Sequence, residues 1–362
     1  MPKEVITNAD EVSNDWLTAV LVGSGALVYG TIISFGLETG QANWSTYAKL
    51  MVTYSDDAKG ALPRHLFLKM AQFDSEEEEA FGISEVTYYT RDYVDVKNAP
   101  LVGCYAGAYS EELKRYHLLL DDLSDTHIVA AEKEPTLTYG FALVEGLALL
   151  HAHWWGAERL NEAGAPIHNA AFIRRFVDIC ELGVEPILRR DPNELESHWT
   201  DTIRQLYAKH PQALIERTKD GNGFTLIHGD VGHHNILVPH TGDNPLYLID
   251  RQPFNWSLTS WLGVYDLAYA IVLDWPTDAR RKYEIPLLKR YHEHLIKHGV
   301  AHYSWEQLFD DYRLCVAMCV YISAEYCRGG TNKQWFHVWL LMLQRSLIAC
   351  DDLNCSALWK HR

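Results

Sequence analysis

Apolar and polar residues alternate in two different ways along the chain, and the change falls near Pro135. Before that point, short runs rich in β-branched and aromatic residues are separated by turns, which predicts strands. The strand candidates are ALVYGTIISFG, WSTYAKLMVTY, HLFLKM and KRYHLLLDDL. The segment GLETGQAN between the first two predicts a hairpin turn, and SEVTYYTRDYV predicts a helix.

After Pro135, long segments carry apolar residues at i, i+3 and i+4, the spacing of one helix face. These helix candidates are TLTYGFALVEGLALLHAHWWGAERL, NAAFIRRFVDICELG and ELESHWTDTIRQLYAKH, and the last hundred residues follow the same pattern. We therefore predict an α+β chain with a small β-rich N-terminal lobe, residues 1–123, and a larger α-helical lobe, residues 124–362. A ligand held between two such lobes is a normal arrangement.

Composition narrows the class of protein. The 362 residues are 48% hydrophobic and 22% charged, which is typical of a folded protein. The longest apolar runs fall short of the roughly 20 residues that a membrane span needs. The N-terminus is acidic where a secretory signal needs an apolar core, and the seven cysteines include no CxxC pair. We expect a cytoplasmic protein without a membrane partner.

The charge balance bears on possible ligands. The formal net charge is −16, from 32 basic and 48 acidic residues. Non-specific binding of nucleic acid needs a basic face, so the charge balance argues against this class of function and we expect no nucleic-acid partner. The acidic excess is compatible with a cationic ligand, although many cytosolic proteins are acidic for solubility alone.

The stretch TLIHGDVGHHNILV, Thr225 to Val238, places a polar loop between two strand-like runs. Farther on, NPLYLIDRQ predicts a strand that ends on Asp250. The oxygen donors Asn235 and Asp250 suit Mg²⁺, which takes one or two protein carboxylates together with substrate phosphates. Asp230 would then remain to act on a proton, a division of labour that phosphoryl transfer requires.

The histidines of this loop leave a rival interpretation open. Imidazoles bind transition metals well, and GDVGHHN superficially resembles the metal loops of phosphoesterases. Such a site needs further clusters, and His151 and His153 offer an HxH pair. Residues two apart on a helix point to different faces, so we interpret both histidines as structural.

Several segments together resemble the aminoglycoside phosphotransferase and choline kinase superfamily, the small-molecule relatives of protein kinases. HGDVGHHNIL is similar to the HGDxxxxN loop of that superfamily, and the LID ending at Asp250 is similar to its metal-binding segment. GVYDLAY, Gly263 to Tyr269, is similar to its G-x-x-D-L-A segment. LLLDDL and LALLHAHWW most resemble the ecdysteroid-kinase-like branch. The resemblance extends from about Ile32 to the C-terminus.

The resemblance implies a protein-kinase-like two-lobed fold that transfers the γ-phosphate of ATP to a hydroxyl of a small molecule. It implies that Asp230 is the catalytic base and that Asn235 and Asp250 hold Mg²⁺. His228 would brace the loop, and Asp266 would fix the loop through backbone hydrogen bonds.

The resemblance also assigns residues of the small lobe. Lys69 would pair with the α- and β-phosphates, and Glu85 would position that lysine. The turn containing Gly36 and Gly40 would cover the nucleotide, because glycines let the backbone approach phosphate. Backbone groups near Asp122 and Leu123 would hold adenine.

The chain departs from the superfamily pattern at Gly232, His233, His234 and Arg251. The first three positions face the acceptor in such enzymes, which implies an unusual acceptor pocket. Arg251 follows the metal-binding acid where many relatives have an aromatic residue. Two alternatives stay open: a nucleotide-binding scaffold that has lost turnover, and a metal-dependent phosphoesterase.

Overall fold

The chain forms two structural units, and each of them takes in two separate stretches of sequence. The first unit is Met1–Ile128 with Leu237–Asn255, and the second is Val129–Ile236 with Trp256–Arg362. The computed structural model describes residues 5–42, 45–72, 83–189, 195–242, 244–328 and 336–359. Strands dominate the first unit and helices the second, which confirms the predicted α+β class.

The strands lie mostly in the first unit. They are β1 (Leu27–Tyr29), β2 (Ile32–Gln41), β3 (Ser45–Tyr54), β4 (Lys59–Gly60), β5 (His65–Gln72), β6 (Cys104–Ser110), β7 (Arg115–Asp121), β8 (His127–Val129), β9 (Phe224–Leu226), β10 (Ile236–Pro239), β11 (Tyr247–Leu248) and β12 (Ser260–Leu262). Five of them form one antiparallel sheet in the order β2-β3-β5-β7-β6. Two further pairs are β1-β4 and β9-β12, and β11-β10-β8 form a three-stranded sheet.

The period-two pattern of β3 explains how the first unit builds its core. Ala48, Leu50 and Val52 are buried, while the residues between them are more exposed. Because successive side chains of a strand point to opposite faces, these three cover one face of the sheet. They share a hydrophobic cluster with Leu17 and Leu21 of the N-terminal helix. The strand prediction for this segment is confirmed for its described residues.

The predicted hairpin turn GLETGQAN was wrong in its bounds. Gly36 and Gly40 both lie within β2, which continues to Gln41 and pairs with β3 without interruption from Phe35 onward. Backbone pairing along the sheet outweighs the turn preference of the glycines. Asn43 and the neighbouring Trp44 of the predicted strand lie outside the described residues.

The helices are α1 (Asn14–Gly23), α2 (Ser84–Thr87), α3 (Leu137–His153), α4 (Ala157–Glu162), α5 (Ala170–Glu181), α6 (Val184–Leu188), α7 (Trp199–Arg217), α8 (Val264–Ala268), α9 (Thr277–Lys297), α10 (Trp305–Glu325) and α11 (Phe336–Asp352). Single π-helical turns follow α2 at Tyr88–Asp92 and α8 at Tyr269–Leu273. Short 3-10 helices lie at Ala9–Glu11, Ala130–Glu132 and Cys355–Leu358.

One predicted helix is divided in two. The segment TLTYGFALVEGLALLHAHWWGAERL forms α3 and α4, with a break at Trp154 to Gly156. Gly156 has φ of 90°, a left-handed conformation that glycine adopts without steric cost, so the chain turns there. The start of α3 follows the usual rule, because the Thr136 hydroxyl accepts the Tyr139 N–H.

Helix α10 lies at the centre of the second unit, since every residue from Leu314 to Tyr321 is buried. All seven cysteines are free thiols. Within the described ranges, no helix combines the length and apolar character needed to cross a membrane.

Candidate active site

In the first unit, the structure brings together three of the predicted site residues: Lys69, Glu85 and Asp250. Lys69 lies on the central strand β5, between Tyr47 of β3 and Leu118 of β7, and not on the sheet edge where isolated lysines are common. Its Nζ is 2.8 Å from Glu85 Oε1 and 2.5 Å from Asp250 Oδ1.

Burial makes the stability of this cluster, one ammonium with two carboxylates, sensitive to its geometry. Lys69 is 8% exposed and Glu85 is 2% exposed. Burial alone would lower the pKa of the Lys69 ammonium, but the charges of Glu85 and Asp250 raise it, so the lysine stays protonated. A buried charge that loses its partner is strongly destabilising, and the two carboxylates therefore fix the position of Nζ.

Asp250 follows β11 in a left-handed backbone conformation, with φ of 63°. This conformation is uncommon for a residue other than glycine, and such strain clusters at functional sites. The Asp250 side chain is 42% exposed, so it combines contact with Lys69 and access from solvent.

Arg251, which follows Asp250, packs into the interior of the first unit. It is buried, and its guanidinium carbon lies 5.4 Å from the centre of the Tyr88 ring. This distance is that of a cation–π contact. The arginine that replaces an aromatic residue of the superfamily therefore packs against the helical segment that follows α2.

In the second unit, the loop after β9 is anchored to Asp266 at the start of α8. The buried Asp266 carboxylate accepts the N–H groups of His228, at 2.8 Å, and Gly229, at 2.9 Å. Its Oδ2 also lies 3.1 Å from His151 Nε2. Burial would raise the pKa of Asp266, but the hydrogen bond and charge of His151 lower it below its usual range.

Two conformational features complete this anchor. Gly229 has φ of 84°, which lets consecutive N–H groups converge on one carboxylate. His151 Nδ1 is 2.8 Å from the Tyr291 hydroxyl, so His151 joins α3, α8 and α9. These contacts link three helices through His151, as a structural role would require.

Asp230 is exposed, and both oxygens of its carboxylate accept a hydrogen bond. The Tyr269 hydroxyl donates to Oδ1 at 2.6 Å, and the Asn235 amide donates to Oδ2 at 2.9 Å. The Asp230 N–H donates to His228 Nδ1 at 3.3 Å. Because Asn235 uses its amide nitrogen here, its carbonyl oxygen is the atom that would bind a metal.

Tyr269 was not anticipated as a site residue. It lies one helical turn after Asp266, in the last position of GVYDLAY, and it is buried. The i, i+3 spacing was visible in the sequence, because residues three apart share a helix face. No motif or spacing indicated that the Tyr269 hydroxyl would reach Asp230.

The two unusual histidines of the loop lie beside a buried carboxyl group, that of Asp274. The His233 N–H donates to Asp274 Oδ2 at 2.7 Å. Burial raises the pKa of Asp274 to about 7; the negative charge of Asp230 adds to this rise and the His233 hydrogen bond opposes it. His233 and Asp274 line a cavity of about 160 Å³ together with Tyr139 and Arg345.

Gly232 lies among the same groups. A Cβ at this position would lie 3.6 Å from Asp274 Oδ2, 3.7 Å from the Tyr269 ring and 3.9 Å from Asp230 Oδ1. These are ordinary van der Waals distances. Glycine therefore leaves room beside the Asp230 carboxylate that a larger side chain would fill.

The remaining predicted residues of the first unit are not bonded to the Lys69 cluster in any described contact. The Asp122 N–H donates to the His65 carbonyl, and the Leu123 carbonyl accepts two N–H groups of the following turn. In β2, a Cβ at Gly40 would collide with the Tyr47 ring, whereas the space beside Gly36 is open. Packing against the Tyr47 ring is thus sufficient to explain the glycine at position 40.

The described residues contain no group of three or more His, Cys, Asp or Glu side chains that could hold a metal ion by themselves. The donors on Asp250 and Asn235 are oxygens. They fit Mg²⁺, which keeps several water ligands and takes few protein groups. They do not form the multi-histidine site that a transition metal prefers.

Comparison with known proteins places the chain in a family. Residues 94–301, more than half of the chain, match the profile of the ecdysteroid kinase-like family. No curated protein sequence matches the chain significantly.

Solved structures share the fold at low sequence identity. The chain is similar to an ethanolamine kinase from Plasmodium vivax, with a TM-score of 0.52 and 12% identity over 86% of this chain and 81% of that one. It is similar to choline kinase from Cryptosporidium parvum Iowa II, with a TM-score of 0.54 and 8% identity over 89% and 91%. It is also similar to the GDP complex of an aminoglycoside 2'-phosphotransferase-IIIa mutant, with a TM-score of 0.53 and 12% identity over 94% of this chain and 100% of that one. These similarities confirm the predicted kinase-like fold, and the family match confirms the ecdysteroid-kinase-like branch that the sequence motifs resemble.

Proposed function

Because the chain belongs to the ecdysteroid kinase-like family, we propose that it is an ATP- and Mg²⁺-dependent kinase that phosphorylates a hydroxyl of a small molecule. Solved relatives of the same fold are named as kinases of ethanolamine and choline, and one is a complex with GDP. The observation that carries the proposal is the Asp230 carboxylate, which is exposed and is oriented by two hydrogen-bond donors.

Asp230 acts as the base in this proposal. Its carboxylate accepts a hydrogen bond from the acceptor hydroxyl, orients the oxygen toward the γ-phosphate, and takes the proton as the new P–O bond forms and the bond to ADP breaks. His228 and Asp266 act through the loop backbone and do not react. The rate enhancement rests mainly on such positioning and on electrostatic stabilisation.

The first unit supplies the nucleotide contacts. Lys69 pairs with the α- and β-phosphates, and Glu85 holds its ammonium in place. The proposed ligands of Mg²⁺, which neutralises charge on the phosphates when it is bound, are Asp250 of this unit and Asn235, which belongs to the second unit.

The backbone would complete the nucleotide site. Of the two glycines of β2, Gly36 is the one beside which a phosphate has room, because the Tyr47 ring covers Gly40. Adenine would be held by the Asp122 carbonyl and the Leu123 N–H, since the other polar backbone groups of these residues already have partners.

The test is a screen of ATP consumption against aminoglycosides, macrolides, amino alcohols and steroids, followed by Asp230→Asn. We expect this variant to lose about 10²-fold or more in kcat while still binding Mg·ATP, since general base catalysis is worth about 10²–10⁴-fold. Asp201→Asn is the matched control, because Asp201 lies in α7 with a 77% exposed side chain.

Each other outcome favours another function. Near-native turnover by Asp230→Asn would refute the assignment of the base. Nucleotide binding without phosphate transfer to any acceptor would support the scaffold alternative. Hydrolysis of a phosphomonoester with Mn²⁺ or Zn²⁺ and no ATP requirement would support a phosphoesterase.

A further inference from the structure

The segment that carries the proposed metal ligand contacts the rest of the first unit through three consecutive side chains. Asp250 Oδ1 contacts Lys69 of β5, and the Arg251 guanidinium lies over the Tyr88 ring. Gln252 Nε2 donates to the Tyr116 hydroxyl oxygen at 2.5 Å. Each side chain contacts a different element of the unit, so the position of the segment is determined at three points.

The contacts of Asp250 and Gln252 belong to one closed ring of hydrogen bonds. Lys69 Nζ donates to Glu85 Oε1, and the Tyr116 hydroxyl donates to Glu85 Oε2. Gln252 then donates to Tyr116, and the backbone from Gln252 back to Asp250 closes the ring at Lys69. Tyr116 is fully buried on β7, beside the central strand.

The proton positions in this ring are determined by the donors. The Gln252 amide N–H occupies a lone pair of the Tyr116 oxygen, and a phenol has only one proton to give. That proton therefore points to Glu85, whose buried carboxylate needs donors on both oxygens. The hydrogen bonds from Gln252 to Tyr116 and from Tyr116 to Glu85 run in the same direction and polarise one another. This strengthens the bond to the charged Glu85 carboxylate.

We propose that Tyr116 and Gln252 are positioning residues for nucleotide phosphate binding. Tyr116 holds Glu85 in the orientation that places Lys69, and Gln252 ties the segment carrying Asp250 to the same carboxylate. The phosphate-binding lysine and the metal-binding acid are thus positioned together. This inference rests on the proposed function, because it assumes that Lys69 and Asp250 bind the phosphates and their metal.

A pair of substitutions at Gln252 separates hydrogen-bond donation from packing. Gln252→Glu keeps the size and shape of the side chain but replaces the donor by a carboxylate, which would take the Tyr116 proton away from Glu85. Gln252→Leu removes the donor without adding a competing acceptor. If the side chain only fills space, the glutamate variant should be the milder of the two. If it donates, the glutamate variant should be the more damaging.

Tyr116→Phe removes the donor to Glu85 and has a matched control in Tyr89→Phe. Tyr89 is also buried next to this cluster, and its hydroxyl has no hydrogen-bond partner among the described residues. Both substitutions delete one buried phenolic oxygen. A difference between them therefore reports the hydrogen bond to Glu85 and not the loss of the atom.

The assay is calorimetric binding of two probes, adenosine and the non-hydrolysable analogue Mg·AMP-PNP, to the full chain. A residue that merely stabilises the fold would affect both probes alike, whereas a residue that positions Lys69 affects only the probe with phosphates. We expect Tyr116→Phe and Gln252→Glu to weaken Mg·AMP-PNP binding by about tenfold or more, and Gln252→Leu by less, because bonds to charged groups are the stronger ones. The dissociation constant for adenosine should stay within about twofold of wild type in all variants. In Tyr89→Phe, the dissociation constants for both probes should stay within about twofold of wild type.

The outcomes separate this inference from the function on which it rests. If the wild-type chain binds Mg·AMP-PNP and Tyr116→Phe binds it equally well, the inference alone is overturned. The same holds if Gln252→Glu binds Mg·AMP-PNP as tightly as Gln252→Leu does. Should Tyr116→Phe not fold, the two Gln252 variants decide the matter. A wild-type chain that binds no nucleotide would overturn the proposed function and this inference with it.

Discussion

Tyr269→Phe removes a single oxygen atom from the proposed base assembly. The Tyr269 hydroxyl donates to Asp230 Oδ1 at 2.6 Å, while Asn235 donates to the other oxygen at 2.9 Å. Phenylalanine keeps the ring, which is buried, and so retains the packing around the π-helical turn that follows α8. The variant therefore tests the orientation of the carboxylate with little other change.

The expected size of the effect follows from the character of this bond. A hydrogen bond to a charged group is worth about 1.5–3 kcal/mol. If all of this is lost in the transition state, kcat falls about 10- to 150-fold. The physical cause of this fall is that the carboxylate loses its fixed direction toward the acceptor hydroxyl.

The assay is steady-state phosphorylation of the best acceptor from the screen, with ATP varied. KM for ATP should stay within about twofold of wild type, since Tyr269 bonds to none of the proposed phosphate-binding residues. Tyr265→Phe is the matched control, because it removes another buried hydroxyl from α8. We expect this control to keep near-native kcat.

Two results would refute the reasoning. If Tyr269→Phe kept kcat within about twofold of wild type, the hydroxyl would not orient the base. If kcat fell equally in Tyr265→Phe, the loss would reflect general damage to α8 and not the bond to Asp230.

Two further predictions concern the metal and the buried carboxyl group near the loop. Asp250→Ala should weaken Mg·ATP binding by about tenfold or more, because Mg²⁺ loses a carboxylate ligand, and an unchanged Mg²⁺ dependence of binding would contradict this. For Asp274, whose folded-state pKa is raised to about 7, the native state holds a proton that the unfolded state releases near its ordinary pKa, so wild-type stability falls as pH rises through this window. Asp274→Asn carries no such proton, and its free energy of unfolding relative to wild type should rise by about 2–3 kcal/mol between about pH 5 and pH 8. Urea unfolding at both pH values measures this difference, and a constant difference would show that Asp274 does not titrate there.

The sequence predicted the elements whose pattern is local. The alternation of β3 and the helical spacing after Pro135 each reflect side chains a few residues apart, and the structure confirms them. The loop from His228 to Asn235 and its anchor Asp266 were also identified from short motifs. Their contacts form within the second unit, as the motifs implied.

The errors arose where the conformation of a segment depends on more than its own pattern of apolar and polar residues. Pairing with β3 extends β2 through the predicted turn, and the left-handed Gly156 ends a helix pattern that continues in the sequence. Neither the length of a strand nor a break in an amphipathic pattern is determined by local preference alone, because tertiary contacts add more free energy than propensity does.

The amino-acid sequence alone determined the α+β class, the order of strands and helices, and the polar residues available for chemistry. Only the tertiary structure decided which of these residues touch. Tyr116 reaches Glu85 across 31 positions and Gln252 reaches Tyr116 across 136, and Arg251 finds the Tyr88 ring. The physical reason is that periodicity reports which face of an element a side chain occupies, whereas a contact depends on how separate elements pack to bury their apolar faces.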